Sequence, residues 1–258
     1  MTDEATHDEV LVERRDGVAL ITINRPAAKN ALNENVARRI AHAVDELDAD
    51  DDLRVGVLTG AGGVFSAGMD LKAFLRGERP SLENRGLCGI TRTPPRKPMV
   101  AAVEGWALAG GFELVLACDL VVAGRGARFG VPEAKRSLVA AAGGALELPR
   151  RVPRALALEM LLTGDPVDAA RAEAAGLVNR IVDDGGAVDA ALALAARIAP
   201  NGPLAVAATK RVVVEGADWG SDRWDRHDEV VGPVMTSDDA KEGARAFAEK
   251  RDPVWRGR

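Results

Sequence analysis

The chain has 258 residues, of which 47% are hydrophobic and 28% are charged, and its formal net charge is −5. A chain of this length and composition can bury a large core as one α/β domain, with or without a small helical appendage, and it is not a disordered chain. The acidic balance argues against a protein that wraps nucleic acid.

The sequence carries no pattern typical of a membrane or secreted protein. Its longest uncharged stretch, residues 55–69, is rich in glycine and shorter than the roughly 20 apolar residues of a membrane-spanning helix. The opening MTDEATHDE is acidic and polar, unlike a secretory signal. The two cysteines, Cys88 and Cys118, do not form a disulfide framework. We therefore expect a cytoplasmic protein.

The first half of the chain alternates predicted strands and helices. Residues 10–14 and 18–24 are rich in Val, Ile and Thr around an Asp16-Gly17 turn, which predicts a hairpin. A helix follows at 33–47, with Asn33 as its N-cap. Short buried strands are predicted at 55–59, 99–103 and 120–123, and a helix at 110–118. This alternation predicts a layered α/β core.

Beyond residue 145 the strand pattern fades and helices dominate. They are predicted at 154–162, 168–175, 187–198, 203–215, 222–231 and 238–251, with Asp168 and Asp238 as N-caps. We divide the chain into an α/β core, residues 1–196, and a C-terminal helical region, residues 197–258. The exposed ends of the helical region are candidates for contacts between subunits.

Several common chemistries do not fit. His7, His42 and His227 lie far apart, with no cysteine or carboxylate at metal-ligand spacing. The glycines of residues 60–63 lack the last glycine of a dinucleotide-binding turn, and no phosphate-loop lysine is present. Ser66 is not framed as G-x-S-x-G. Hydride transfer, nucleotide hydrolysis and serine hydrolysis are therefore disfavoured.

Three glycine-marked segments remain. In the first, residues 65–72 (FSAGMDLK), Gly68 permits an unusual φ that can leave the next amide open to a ligand, although an ordinary loop is an equal alternative. In the second, residues 105–113 (GWALAGGFE), two glycines precede an apolar helix. The first amides of that helix suit an oxyanion.

Two glutamates accompany these segments. Glu113 lies in the first turn of the helix, where the helix dipole favours its ionised form, or where it only caps the helix for about 0.3–1 kcal/mol. Glu133 follows Pro132 between apolar stretches in the third segment, residues 129–134, which is followed by residues 141–144 (AAGG). A partly buried carboxyl with a raised pKa is one interpretation of Glu133, and a surface loop residue is the other.

Taken together, these segments resemble the crotonase family, the enoyl-CoA hydratase/isomerase superfamily. The motifs that carry the resemblance occur in order along almost the whole chain: NRPAAKNAL at 24–32, FSAGMDLK at 65–72, KPMVAAVEGWALAGGFEL at 97–114 and SDDAKEGARAFAEKR at 237–251. The resemblance implies a spiral of ββα units with a C-terminal helical region, usually assembled as trimers or dimers of trimers. It also implies an acyl-CoA thioester as substrate.

The resemblance assigns the candidate catalytic groups. The backbone amides of Met69 and Gly110 correspond to the pair that stabilises the thioester enolate, and Glu113 and Glu133 correspond to the two glutamates of hydratases. Since retention of both glutamates favours hydration, our hypothesis is that Glu113 deprotonates water while Glu133 protonates Cα.

The resemblance also implies contacts with the substrate. Those for CoA and the acyl chain map to Ala27, Lys29, Ala67, Gly68, Asp70, Lys72, Phe112, Ala141, Phe247 and Lys250, with the last helix reaching a neighbouring subunit's CoA. The family's usual basic residue stands where this chain has Ala27, and glycines stand where it has Ala109 and Ala141. Met69, Phe112 and Ala141 are expected to narrow the acyl pocket. For Lys29, Lys72, Phe247 and Lys250, a plain surface role is the alternative.

The sequence therefore predicts an enoyl-CoA hydratase that adds water reversibly to a trans-2-enoyl-CoA. An isomerase or a dehydratase for an unusual acyl group, such as a carnitine-like one, is the alternative within the same family. A catalytically silent acyl-CoA-binding protein is a further alternative. We expect no metal and no cofactor, since CoA is part of the substrate, and no nucleic-acid or membrane partner.

Overall fold

The computed structural model describes residues 8–258, so His7 lies outside the described residues. Its strands are β1 (Val10–Arg15), β2 (Val18–Ile23), β3 (Val55–Gly60), β4 (Ser81–Leu82), β5 (Gly86–Leu87), β6 (Met99–Val103), β7 (Trp106–Leu108), β8 (Leu120–Gly124), β9 (Arg128–Gly130), β10 (Val167–Asp168) and β11 (Arg180–Val182). Its α-helices are α1 (Glu34–Ala49), α2 (Leu71–Leu75), α3 (Gly110–Ala117), α4 (Gly144–Arg151), α5 (Arg154–Thr163), α6 (Ala169–Ala174), α7 (Ala187–Ile198), α8 (Pro203–Gly216), α9 (Arg223–Thr236) and α10 (Asp238–Glu249).

A six-stranded sheet forms the centre of the fold, in the order β1-β2-β3-β6-β8-β11. The β1–β2 pair is antiparallel, and the other neighbours run parallel. Asp16 and Gly17 join β1 to β2 with φ values of +46° and +79°, the conformation of a type I′ hairpin turn. The predicted α/β core and its first hairpin are confirmed.

Both faces of this sheet are covered, and the alternation along β6 shows how. Val100 and Ala102 belong to a small apolar cluster with Ala187, Ala191 and Ala195 of α7. Met99, Ala101 and Val103 point to the other face, into the larger core that α1 and α3 complete. Period-two side chains thus place helices on both faces, as expected for buried parallel strands.

A second, smaller sheet holds the glycine-marked segments. Its order is β10-β9-β7. An isolated parallel bridge joins Ala107 of β7 to Ser66, and a second one joins Met69 to Leu32. The chain around residues 29–32, the loop 65–70 and β7 therefore lie side by side. This layer brings together motifs that are far apart in the sequence.

The C-terminal helices are held to the core at few points. Neither α8 nor α9 contributes a buried residue. Lys210 of α8 donates to Asp119 (2.7 Å) and to the carbonyl of Lys97 (3.0 Å), which joins this helix to the ends of β6 and β8. Since α7 ends at Ile198, the predicted boundary after residue 196 falls in its last turn.

Some sequence predictions were wrong in detail. Strands do occur beyond residue 145: β11 pairs with β8 at the edge of the main sheet, and β10 pairs with β9. They are two or three residues long, too short to show a period. The N-cap of α10 is Ser237, whose Oγ accepts from the Ala240 amide at 3.0 Å, and not Asp238. Asp168 and Asn33 are N-caps as predicted.

Within residues 8–258, no individual helix has the length and apolar composition to cross a membrane. The pair α7 and α8 meets that test only when the two are joined, and they are bent by 110° at the break between them. In the fold, α7 packs its buried alanines against the central sheet.

Candidate active site

The loop 65–70 is fixed on both sides by hydrogen bonds. On one side, the Ser66 amide donates to the Trp106 carbonyl, and the Leu108 amide donates to the Ser66 carbonyl, both at 3.0 Å. On the other side, the Leu32 amide donates to the Gly68 carbonyl at 2.8 Å. The Asp70 amide donates to the Leu32 carbonyl at 2.9 Å. These bonds use the peptide groups that flank Met69.

The amide of Met69 is left free and lies close to Gly110. In a parallel bridge, the residue whose neighbours make the bonds turns its own N–H to the opposite side. A Cβ built on Gly110 would lie 3.8 Å from the Met69 nitrogen, so the two glycine-marked segments meet here. Among the described residues, neither the Met69 amide nor the Gly110 amide has a hydrogen-bond acceptor. Two amides without partners therefore lie on neighbouring segments, as an oxyanion hole requires.

Ala109 adopts an unusual conformation that directs the chain into α3. Its φ of +50° and ψ of −127° lie in a region that side chains with a Cβ rarely occupy. Its amide donates to the Gly130 carbonyl at 2.9 Å. Its methyl group lies so near Gly68 that a Cβ added to Gly68 would be 2.8 Å from it. The backbone around the two free amides is therefore strained, and strain of this kind is concentrated at functional sites.

Replacing Ala109 with glycine should raise the free energy of unfolding by about 1 kcal/mol, because relief of backbone strain exceeds the entropy that glycine adds to the unfolded chain. Urea denaturation followed by circular dichroism measures this change. The matched control is Ala193→Gly on the exposed face of α7, which should lower stability by up to about 1 kcal/mol. Equal losses in both variants would show that Ala109 is not strained.

Glu113 is buried in the first turn of α3 and held by backbone amides. Its side chain is 5% exposed, and Oε1 accepts from the Ala142 amide at 2.8 Å and from the Gly144 amide at 2.9 Å. Burial raises the pKa of Glu113 above the ordinary value of 4.5, the charge of Glu133 adds to the rise, and the two amides oppose it. Both bonds go to Oε1, which leaves Oε2 for a water molecule.

Glu133 lies in a short 3-10 turn, Pro132–Arg136, and is half-buried. Among the residues that the structure describes, its Oε2 is the one buried side-chain oxygen without a hydrogen-bond partner. Burial also raises the pKa of Glu133, while its own backbone amide and the charge of Arg136 lower it. The buried oxygen without a partner is available to a ligand.

The arrangement can polarise a carbonyl and move protons beside it. Two amides without partners suit an oxygen that gains negative charge, and two carboxyls in different environments can act as base and acid. Within residues 8–258, no cluster of three or more His, Cys, Asp or Glu side chains is placed to hold a metal ion. The two amides and the two carboxyls suit proton transfer next to a polarised carbonyl.

Several predicted substrate contacts lie on the loop 65–70 or on segments that adjoin it in the chain or through a hydrogen bond. The Ala67 amide donates to the Lys29 carbonyl at 3.0 Å, so these two residues are adjacent at the rim of the loop 65–70. Ala27 is exposed in a 3-10 turn, Pro26–Ala28, that precedes Lys29, and Lys72 is exposed in α2. Gly68, within the loop itself, is buried and has a φ of +90°.

Ala141 is exposed. It lies beside the Glu113 carboxyl, because the amide of the next residue, Ala142, donates to that carboxyl. Phe247 is 88% exposed near the end of α10, and Lys250 is the left-handed C-cap of that helix. The helix α10 packs against α9.

Two of the predicted contact residues use their side chains inside the protein. Phe112 has no exposed surface and packs on Phe129, with 5.7 Å between ring centres, so it belongs to the core and does not line a pocket. The carboxylate of Asp70 is used inside the protein: Oδ1 accepts from the Lys72 and Ala73 amides, and Oδ2 pairs with Arg25. Its side chain supports the loop.

Sequence reasoning missed the amides that hold Glu113. Ala142 and Gly144 lie about 30 positions beyond it, and no periodic pattern links them. The one signal in the sequence was the glycine at position 144. The structure explains it, since a Cβ there would lie 3.2 Å from Glu113 Oε1 and 2.8 Å from the Ala140 Cβ. The contacts of Arg25 with Ala31, Asp70 and Glu9 were not predicted, although Arg25 lies in the recognised motif at residues 24–32.

The chain is similar to known proteins over nearly all of its length. The sequence model of the enoyl-CoA hydratase/isomerase family matches residues 13–258. The enoyl-CoA hydratase EchA19 of Mycobacterium tuberculosis is 45% identical over 97% of both chains. The carnitinyl-CoA dehydratase of Citrobacter koseri is 40% identical over 95% of this chain and 97% of its own. The crystal structure of enoyl-CoA hydratase EchA1 from Mycobacterium marinum has a TM-score of 0.96 and 58% identity, covering 98% of this chain and all (100%) of that one.

Proposed function

Because this chain belongs to the enoyl-CoA hydratase/isomerase family, we propose that it adds water reversibly across the trans-2 double bond of an enoyl-CoA thioester. The observation that carries the proposal is the closeness of two amides without partners, those of Met69 and Gly110, at the start of the helix that also holds the buried Glu113. Glu133, with its unpartnered Oε2, supports the proposal. The substrate brings its own CoA, and the reaction needs no further cofactor.

The two amides activate the substrate. A thioester oxygen that accepts hydrogen bonds from Met69 and Gly110 draws electrons from the conjugated double bond, so Cβ becomes electrophilic and the enolate that follows is stabilised. Gly110 is the first residue of α3, so the helix dipole adds a favourable field at that oxygen. The same interaction makes a Cα proton acidic in the reverse reaction.

The two carboxyls divide the proton transfers. Glu113 is fixed by two amides through Oε1, so Oε2 can orient a water molecule and take its proton as the oxygen attacks Cβ. Glu133 carries the unpartnered oxygen, and in its protonated form it delivers a proton to Cα. After one turnover Glu113 is protonated and Glu133 is ionised, so a proton must pass between them or through solvent before the next cycle.

We expect a bell-shaped dependence of kcat/KM on pH. Activity should rise as Glu113 ionises, and because its pKa lies above the ordinary 4.5, this acid limb should lie above the pH of a normal glutamate. Activity should fall again at higher pH as Glu133 loses the proton that it delivers. A profile with its acid limb at or below pH 4.5 would contradict the assigned roles.

The test of the function is the ultraviolet absorbance of the conjugated enoyl thioester. With crotonyl-CoA, the purified protein should lower this absorbance to a constant equilibrium value, and 3-hydroxybutyryl-CoA should appear. Conversion of a 3-enoyl-CoA into the conjugated isomer, without hydration, would instead indicate an isomerase. Saturable binding of crotonyl-CoA without any change in absorbance would indicate a silent binding protein.

A second candidate is dehydration of a 3-hydroxyacyl-CoA with an unusual acyl group. Relatives that are 40–41% identical are carnitinyl-CoA dehydratases, and dehydration is the reverse of the proposed reaction. Ala141 supports an altered acyl range, since it is exposed next to the group that binds Glu113. A comparison of kcat/KM for crotonobetainyl-CoA and crotonyl-CoA decides between the two acyl groups.

The assembly that we propose is a homotrimer or a dimer of trimers. Apolar side chains on the C-terminal helices are exposed in the single chain, among them Val213, Trp224 and Met235. In such an assembly, Phe247 and Lys250 would contact CoA bound to a neighbouring subunit. We also propose a cytoplasmic location, which is supported by the free thiols of Cys88 and Cys118.

A further inference from the structure

Arg25 makes three contacts around the loop that presents the Met69 amide. Nη1 donates to the Ala31 carbonyl at 2.5 Å, Nη2 donates to Asp70 Oδ2 at 3.0 Å, and Nε pairs with Glu9 Oε1 at 2.7 Å. The side chains of Arg25 and Asp70 are only 18% and 12% exposed. The guanidinium of Arg25 therefore binds groups of the protein itself.

These contacts flank the bridge that aims the Met69 amide. Ala31 precedes Leu32, and Asp70 follows Met69, while Leu32 and Met69 form the bridge itself. One planar guanidinium thus ties together the two segments whose relative position sets the direction of the Met69 N–H. The hydrogen bonds of the bridge, 2.8 and 2.9 Å long, lie between the two attachment points.

Asp70 connects this clamp to α2. Its Oδ1 caps the helix by accepting from the Lys72 and Ala73 amides at 3.0 and 3.1 Å, while Oδ2 meets Arg25. Each carboxylate oxygen has its own task, so loss of Arg25 frees one oxygen without removing the cap. The loop could then shift relative to Leu32 while the helix stays formed.

We propose that Arg25 is a positioning residue for the oxyanion hole, in that it clamps the Ala31 carbonyl to the Asp70 carboxylate and so fixes the direction of the Met69 N–H. This inference rests on the proposed function of that amide. Arg25 touches no reacting atom and, with all three contacts internal, it is not a cation for the phosphates of CoA. Donors in an oxyanion hole act through their fixed aim, so a small rotation of the loop weakens catalysis.

The first variant is Arg25→Met, which keeps the aliphatic stem and removes the fork. We expect kcat for crotonyl-CoA to fall by about tenfold to a hundredfold, less than the hundredfold to thousandfold for complete loss of a donor, with KM changed by less than about threefold. The control is Arg39→Met, which removes the neighbouring Arg39–Asp8 ion pair (2.8 Å) and leaves Ala31 and Asp70 untouched. It should keep the wild-type kcat.

The direct measurement is the infrared carbonyl stretch of bound butyryl-CoA, a saturated thioester that cannot be hydrated. On the wild-type protein this band should lie at lower frequency than in water, and Arg25→Met should lose much of that shift with little change in Kd. Asp70→Asn, which can keep the cap of α2, should show a smaller loss in the same direction. It also serves as the test if Arg25→Met does not fold.

The inference and the proposed function fail in different ways. If the wild-type protein shifts the carbonyl band and Arg25→Met loses that shift, but crotonyl-CoA is not hydrated, hydration is wrong and the clamp stands. If the Arg25 and Asp70 variants keep the full wild-type shift, or if the wild-type protein shows no shift, the clamp is wrong. A weaker Kd for CoA itself in Arg25→Met, with an unchanged carbonyl band, would assign Arg25 to CoA binding.

Discussion

Replacing Glu113 with glutamine should lower kcat for hydration of crotonyl-CoA by about two to four orders of magnitude, the range that a general base contributes. Glutamine can still accept from the Ala142 and Gly144 amides, so the pocket should keep its shape and KM should change little. It cannot take a proton from water. Steady-state kinetics at saturating substrate measures the loss, and near-normal hydration would contradict the role of Glu113.

The same variant should not be less stable than the wild-type protein at neutral pH. A carboxyl whose pKa is higher in the folded than in the unfolded state makes the fold lose stability as pH rises through that interval, and burial raises the pKa of Glu113. A neutral glutamine removes this dependence. The matched control is Glu147→Gln on α4, which removes a charge from a half-exposed carboxylate near Gly143 and should leave kcat unchanged.

Replacing Gly68 with alanine should lower kcat/KM by about a hundredfold to a thousandfold, as expected when an oxyanion donor is displaced. The new Cβ would lie 2.8 Å from the Ala109 Cβ, 2.9 Å from the Leu108 carbonyl oxygen and 3.1 Å from the Gly110 nitrogen. None of these atoms is the end of a flexible side chain, so the loop must move away from Gly110. The two amides would then no longer converge.

A control separates this steric effect from backbone strain. Gly63 precedes the same loop and has a φ of +74°, but a Cβ there would meet nothing within 4 Å. Gly63→Ala therefore introduces a strained φ, with a cost of about 1 kcal/mol, without the clash. It should lower stability and leave kcat/KM within about threefold of the wild-type value. Equal losses of activity in the two variants would mean that the convergence of Met69 and Gly110 is not needed.

The elements that the sequence predicted are those with a strong local signal. The Asp16-Gly17 turn, the Asn33 cap and the apolar run of β6 each depend on neighbours within a few residues, and all three are confirmed. β11 was missed because its three residues become a strand only through pairing with β8. Local propensity carries no information on such a partner.

In the site, too, local motifs could be predicted and contacts between distant residues could not. The motif resemblance selected Met69, Gly110, Glu113 and Glu133. The structure shows amides without partners at the first two, and burial raises the pKa of both glutamates. The tasks of individual side chains were harder to predict. Asp70 could bind a ligand or cap α2, and Phe112 could line a pocket or fill the core, because each choice depends on contacts distant in sequence.

The conformation of Ala109 could not be foreseen either. Alanine rarely adopts a positive φ, so its identity predicts ordinary backbone at this position. The strain is set by the tertiary bonds around it, among them the bond from its amide to the Gly130 carbonyl. The sequence signal was only indirect, in the two glycines that follow it.

The crystal structure of the Glu113→Gln variant with bound crotonyl-CoA tests the central claim most directly. Our account predicts that the thioester oxygen lies about 3 Å from both the Met69 and Gly110 nitrogens, with Cα and Cβ between the side chains at positions 113 and 133. A thioester oxygen turned away from these two amides, or a glutamate at position 133 turned into bulk solvent, would contradict it.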